Sequence, residues 1–459
     1  NKIKTKTTMS SPEEHLCKAL IDRNFKECNE LINNGTDLKK TIKKLFEFIK
    51  PDDKDKDGNT LLHFAQKLHF SLTEELLKFG VDINAENNQG KTVFCLLLEN
   101  DNYDNKLADI YLSAGANINF QNNFNKDTYL HKLLQVFFRQ DIFKKVKFLL
   151  EKGADVNLKN QYNRTPFNSF LECFCEKRLA QQDIRIFDEM VKLLIKYGVD
   201  INELDWRNET PLIQVIKDVQ TLEFIQVLID NGADLFKRDN KNNTALHFAE
   251  DEDIIKFLLS KGLDPIAKND NGDTPLHHSS ERIWDGPELL FFNYNNRFKI
   301  LIDKYDDVNL KNEQRDTILH NLLNFADDVD NDYIYLNVIL TLLDKGADIN
   351  AENKCKETPL HMAFDFTPPI KNVVKLLINK GAHINSKTNE GKTPLHLAID
   401  IYIEYENKIY NSSCEEKAKR YVEICKNSIQ ILLDNGAEVD DDTKIKLKEI
   451  QGLILPKNL

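Results

Sequence analysis

The chain contains no run of about 18 apolar residues, which excludes a membrane-spanning helix. Its opening residues, NKIKTKTTMSS, are basic but have no apolar stretch, so they do not form a signal peptide, and residues 1–10 read as a disordered tail. Positive charge is not in excess. The formal net charge is −12, which argues against nucleic acid as a partner, because phosphate binding needs a local concentration of Lys and Arg. Cysteine is scarce: eight residues in 459, unclustered apart from Cys173 and Cys175, point to a reducing, cytoplasmic compartment rather than a disulfide framework. The first residue is Asn, which allows the chain to be a piece of a longer protein.

What is present is a repeat. Thr recurs at 60, 92, 128, 165, 210, 244, 274, 317, 358 and 393, a mean spacing of 37 residues. After it come TLLH, TYLH, TALH, TPLH and TILH starts, in which Thr is a good N-cap and Pro suits the first helical position. A second signal precedes each junction: GVDIN at Gly80, GANIN at Gly115, GADVN at Gly153, GADIN at Gly346 and GAHIN at Gly381. There Gly can take the left-handed conformation that ends a helix. The short polar stretch between the two signals fits a turn or hairpin. A period of this size means that the chain stacks small units around one continuous core.

These T-P-L-H starts and G-A-D-x-N ends resemble the ankyrin repeat family over about Pro51 to Asp440. The resemblance implies an all-α ankyrin-repeat solenoid, curved, of about 10–11 helix-turn-helix units with short β-hairpin loops. Residues 11–50 are expected to form a degenerate N-terminal capping repeat and an added helix over Thr41 to Lys50. Residues 51–440 are the ten repeats. Residues 441–459 are a C-terminal cap, a helix from Asp441 to Leu455 covering the last core face with Leu447, Ile450 and Ile454. From Thr to the following Gly the units differ in length: 33 residues in the fourth, 29 in the eighth, 43 in the tenth and 18 in the sixth. The tenth is read as an extended first helix with a fresh start at Ser413, and the sixth as clipped. The seventh carries Tyr305 in place of Gly, so an irregular helix end is expected.

No residue constellation specifies chemistry. His63, His131, His247, His277, His320, His361 and His396 fill the fourth place of the helix start, where imidazole can bond the neighbouring turn with one nitrogen and the Thr hydroxyl with the other. Asp53 to Gly58 looks like half a calcium loop, but Phe64 stands where the closing Glu belongs. Gly90-Lys91-Thr92 mimics a phosphate loop without its earlier Gly. The expectation is a non-enzymatic protein that needs no metal and no cofactor. The resemblance further implies that Asn84, Asn157, Asn202, Asn309, Asn350 and Asn385, each with Leu eight residues earlier, are substrates of an asparagine hydroxylase.

Function then rests on surface. In the resembled family, partners lie along the turn tips and the concave face of the first helices. Carried over by position, consecutive tips hold Phe124, Tyr162 and Trp206. The residue before Thr is acidic at Asp127, Glu209, Asp273, Asp316 and Glu357, and later helix positions add Asp218, Asp251 and Glu252. Together they suggest a monomeric scaffold, such as a host-directed effector, that binds a protein with basic and apolar patches. The alternative is a regulatory or targeting part of a larger toxin or enzyme.

Overall fold

The computed structural model describes residues 11–68, 70–100, 104–136, 141–176, 183–219, 221–280, 297–324, 332–364, 371–411, 415–450 and 453. The disordered-tail expectation for residues 1–10, the fresh start at Ser413 and the cap residue Ile454 lie outside them. The chain forms two compact units, Asn1–Pro211 with Asp230–Ala233, and Leu212–Ile229 with Asp234–Leu459. Among the described residues all regular structure is helical.

In the first unit, helices Pro12–Ile21, Phe25–Asn33 and Leu38–Leu45 precede the pairs Leu61–Ala65 with Phe70–Lys78, Val93–Glu99 with Asn105–Ser113, Tyr129–Gln135 with Ile142–Glu151, and Pro166–Glu176 with Asp183–Lys196. The second takes in Ala245–Phe248 with Glu252–Ser260, Pro275–Ser280 with residues 297–302, Ile318–Asn324 with Asp332–Asp344, Pro359–Met362 with Lys371–Asn379, and Pro394–Asn411 with Glu415–Asp434. Each first helix opens just after its Thr, which sits in extended conformation at Thr60, Thr92, Thr128, Thr244 and Thr358. Two residues on, Leu62, Phe94, Leu130, Phe167, Leu246, Leu276, Leu319, Leu360 and Leu395 are buried. Each contributes roughly 2 kcal/mol of apolar burial, so one side chain per unit recurs as the core of the stack.

Three departures from the sequence reading have local causes. The added N-terminal helix spans Leu38–Leu45 rather than Thr41–Lys50, because Asp37 accepts the Lys40 amide and starts the helix early. The C-terminal helix stops at Glu449, with Leu447 and Ile450 buried as expected. The tips are turns rather than hairpins. Asn87 N–H bonds the Lys91 carbonyl and Gly90 N–H bonds the Asn87 carbonyl, too few pairs for a strand ladder. The tips stack instead. Asn88 donates to Asp57 O, Gln161 to Asn125 O, Asp270 to Lys241 O, Glu313 to Asn271 O and Lys354 to Gln314 O, all at 2.8–3.0 Å.

Other features follow the sequence. Ala245–Phe248 is a single turn, and Pro394–Asn411 runs to 18 residues, with Tyr405 edge-on to Tyr421 at 5.1 Å. Gly153 ends its helix at φ +93°, whereas Tyr305 lies outside the left-handed region. Its ring is buried, and its hydroxyl donates to Pro265 O at 2.8 Å and lies 2.7 Å from the Thr274 hydroxyl.

The Asn of each helix end joins consecutive repeats. Asn84 Nδ2 reaches Gly115 O, Asn157 reaches Gly198 O, Asn202 reaches Gly232 O, Asn309 reaches Gly346 O, Asn350 reaches Gly381 O and Asn385 reaches Gly436 O, at 3.0–3.2 Å. Asn84 and Asn350 also accept the amides of Asn117 and His383. The residues that resemble hydroxylase substrates are thus held on the next repeat. Two repeats lack this bridge, because Phe236 and Ile266 stand at the Asn position with exposed side chains. Phe236→Asn is expected to bond Gly262 O and Asp264 N–H and to raise stability by about 0.5–1.5 kcal/mol. Urea unfolding checks it, and an unchanged or lowered midpoint would refute the bridging role.

The repeat that starts at Thr393 is followed by helix Asp441–Glu449 instead of another tip, and its His396 Nε2 meets the Asp440 carboxylate at 2.9 Å. Asp440 also caps helix Asp441–Glu449 by accepting the Thr443 amide, and these bonds hold its carboxyl at about 2. Asp440→Ala should cost about 1–2 kcal/mol by loss of this cap and release the terminal helix first. Proteolysis confined to residues beyond 436 is the expected readout.

Candidate functional site

The aromatics Phe124, Tyr162 and Trp206 stand on consecutive tips and are 64, 54 and 43 % exposed. They are water-facing yet locally held. Phe124 lies over Gly90, where an added Cβ would come within 2.7 Å of its ring. Its amide is fixed by Asn122 Oδ1 at 3.0 Å. The Arg164 guanidinium sits 5.7 Å from the Tyr162 ring centre and 4.9 Å from that of Trp206, so one cation joins two neighbouring tips. The Trp206 indole N–H donates to Glu172 Oε1 at 2.9 Å, and Glu172 Oε2 pairs with Arg164 Nη1 at 3.0 Å. Arg207 lies 5.5 Å from the Trp206 ring and pairs with Asp205 and Glu209. Arg164, Glu172 and Arg207 were not singled out from sequence. The signal was there, since Arg164 immediately precedes Thr165 and Glu172 follows it by two helical turns on the same face.

The acidic residues do not form the free face expected from their positions. Glu209 and Asp273 are buried, as is Asp127, and Asp316 and Glu357 are half-buried. The reason lies in the tip. Five residues before Thr, the side-chain oxygen of an Asn takes the amides that turn the chain, as Asn160 does from Tyr162 and Arg164. Its Nδ2 is then left for the preceding tip. Asn160 donates to Asp127 at 2.8 Å, Asn312 to Asp273 at 2.9 Å, and Asn353 to Asp316 at 3.0 Å and to Glu357 at 2.8 Å. Asn87 and Asn269 do the same to Asn59 and Asn243. Asp127, Asp273 and Asp316 are thus fasteners between repeats, while Glu357 is held by the Asn of its own tip. Burial raises the pKa of Asp273 and Asp316, while in Asp127 the bonds from Asn160 and Lys132 outweigh burial and lower it.

Where the residue before Thr is basic, it pairs with an acid two turns on. Lys91 bonds Glu99 at 2.6 Å and Lys392 bonds Asp400 at 2.9 Å, as Arg164 bonds Glu172. Asp251 is occupied as an N-cap for the Asp253 and Ile254 amides, and Glu252 pairs with Lys256 at 2.5 Å. Asp218 is exposed. Of the sequence-derived site, the structure brings together Tyr162 and Trp206 through Arg164. Glu209 joins them through Arg207. Asp218, Asp251, Glu252, Asp273, Asp316 and Glu357 belong to the other compact unit.

Other chemistry finds no frame. The Asp55 carboxylate of the calcium-like stretch accepts the Asp57 and Asn59 amides at 2.9 and 2.8 Å, so it serves the turn. Among the described residues no group of three or more His, Cys, Asp or Glu converges to hold a metal ion, and no helix is long and apolar enough to cross a membrane. Cys17, Cys28, Cys95, Cys173, Cys355 and Cys425 are free thiols; burial lifts Cys95 and Cys425 to about 12, which leaves them unreactive. A cavity of about 370 Å³ between helices Val93–Glu99, Tyr129–Gln135 and Ile142–Glu151 is walled by Leu98, Leu133, Val136 and Ile142, with Lys145 buried at its edge.

The comparisons match the repeats. The model of ankyrin repeats matches residues 180–269, 220–312 and 329–405, and the single-repeat model matches 57–88. A putative ankyrin repeat protein of fowlpox virus (strain NVSL) is 28% identical over 166 residues, covering 36% of this chain and 23% of the relative. A probable serine/threonine-protein kinase of Dictyostelium discoideum is 28% identical over 205 residues, 38% of this chain and 24% of the relative. A putative ankyrin repeat protein of Acanthamoeba polyphaga mimivirus is 31% identical over 122 residues, 25% of this chain and 36% of the relative. The chain thus spans between about a quarter and about a third of the length of these relatives. The Thr–His helix starts, the bridging Asn helix ends and the matched models coincide on the same repeats, and the chain belongs to the ankyrin repeat family.

Proposed function

We propose that the chain is a non-enzymatic scaffold that binds a partner protein, and that the contact centres on the tips carrying Phe124, Tyr162 and Trp206. The observation that carries this reading is the exposure of three large rings on consecutive tips, two of them fixed by the Arg164–Glu172 pair. Trp, Tyr and Arg are the residues on which interface energy concentrates, and rings already held in place lose little conformational entropy on binding. The acids tied into the tips contribute little direct contact. The net charge of −12 still favours a basic partner at long range, while the rings supply the apolar contact. Action in the cytoplasm as a monomer, on the chain's own account or as a host-directed effector, fits this reading.

A second reading, a regulatory or targeting part of a larger enzyme, is favoured by the kinase relative, of which the chain spans 24%. Affinity capture with mass spectrometry identifies the partner. Tyr162→Ala should then weaken binding at least tenfold, about 1.4 kcal/mol, with an unchanged melting temperature. Trp206→Ala should weaken it more, with a small loss of stability from the Glu172 bond. Retained affinity in both variants would place the contact elsewhere.

A further inference from the structure

Six imidazoles of the helix starts share one geometry, while the seventh, His396, meets the Asp440 carboxylate instead of a carbonyl. In His247, Nδ1 faces the Thr244 N–H at 3.0 Å and the Thr244 hydroxyl at 2.9 Å, and Nε2 faces the Asp273 carbonyl at 3.1 Å. In His277, Nδ1 faces the Thr274 N–H at 3.3 Å and Nε2 the Leu310 carbonyl at 3.1 Å. A nitrogen that accepts a backbone N–H cannot itself carry a proton, so each ring is clamped as the neutral Nε2–H tautomer. Protonation breaks the helix start and puts a cation in the core.

The stretch from residue 244 to 323 concentrates this hazard. The His247 and His278 rings are 6.0 Å apart, and His278 lies 5.4 Å from Phe248. Arg297, 2 % exposed, donates to His247 O at 2.9 Å. Among the described residues, the other charges acting on His247 are Arg238 and Asp239 from the preceding tip, and Lys268 acts on His277. Lys217 lies 5.0 Å from the Phe248 ring. Asp273 and Asp316 face the same joints, and burial raises their pKa, so they shed charge as acid rises. His320 continues the series at the next joint. The two positions without an Asn bridge border this stretch and fall within it: Phe236 lies just before it and Ile266 inside it.

We infer that residues 244–280 and 297–323 form an acid-sensitive joint, in which protonation of the clamped imidazoles opens these repeats while the others stay folded. Burial lowers His247, His277 and His320 to about 4, against roughly 6.5 in an unfolded chain. The unfolded segment therefore binds more protons across that interval. The stability these rings contribute is complete above about pH 6.5 and is lost as pH falls toward 4. Protonation of Asp273 and Asp316, whose pKa burial raises in the folded chain, works the other way.

Hydrogen exchange read by mass spectrometry on the full chain, corrected for intrinsic rates, tests this. Between pH 7 and pH 5, exchange in 244–280 and 297–323 should rise at least tenfold, while helices Ile142–Glu151 and Lys371–Asn379 change less than twofold. The double variant His247→Asn, His277→Asn should lose the step. Asn168 shows that Asn holds this place, accepting the Thr165 amide at 2.9 Å without titrating. No local step, an equal step in all repeats, or a step that survives in the double variant overturns the inference. If the double variant does not fold, the step in the unaltered chain decides alone. A midpoint between pH 4 and 6.5 confined to this stretch supports the joint, and any other pattern overturns it.

Discussion

A repeat of this size cannot satisfy its own polar edge. Each tip turns by spending side-chain oxygens on its own amides, and what remains points along the stack. Asn160 shows the arrangement: Oδ1 takes two amides of its own turn and Nδ2 goes to Asp127 of the turn before. His131 closes the same joint from the helix side, with Nε2 on the Arg164 carbonyl at 2.9 Å. These bonds lie at the rim of a core to which most helices give several apolar residues, as Val93, Phe94, Leu97 and Leu98 do in Val93–Glu99. Burial drives stacking, and the bonds fix its register, since an unmade bond at a buried carboxylate such as Asp127 costs a desolvation penalty with nothing in return.

This constraint also decides which surface is left for function. A charge at the position before Thr is drawn inward by the next tip, as in Asp127 and Asp273, held within its own tip, as in Glu209 and Glu357, or neutralised across the helix, as in Lys91 with Glu99. Polar residues on the joints are therefore mostly committed. Side chains that point beyond the tip are not, and Phe124, Tyr162 and Trp206 are the large rings there. The Arg164–Glu172 pair extends the fastening network outward and holds two of them, so scaffold and site share residues.

Uniform fastening also makes exceptions visible. Phe236 and Ile266 lose the Asn bridge, and Tyr305 replaces the Gly that ends a helix. They fall in consecutive repeats, where His247, His277, His278 and Arg297 are also gathered. In a nearest-neighbour stack, stability is a sum over joints, so a run of weakened joints acts as a local element rather than being averaged away.

The sequence alone determined the repeat, the helix starts and ends, the clipped and extended repeats and the irregular end at Tyr305. Each is a local matter of capping, Gly conformation or apolar period, and the signal sits within a few residues. It also placed the three rings on consecutive tips, because register position follows from counting. What only the tertiary structure decided is the fate of every polar side chain that reaches a neighbour some 26 to 53 residues away. Asp127 and Asp273 look like surface acids in sequence because composition cannot say whether a carboxylate faces water or the Asn of the next turn. Arg164 looks like an isolated cation until folding brings Tyr162, Glu172 and Trp206 around it. The added helix at Leu38 was misplaced for a smaller reason of the same kind, since a single cap from Asp37 outweighed the apolar period.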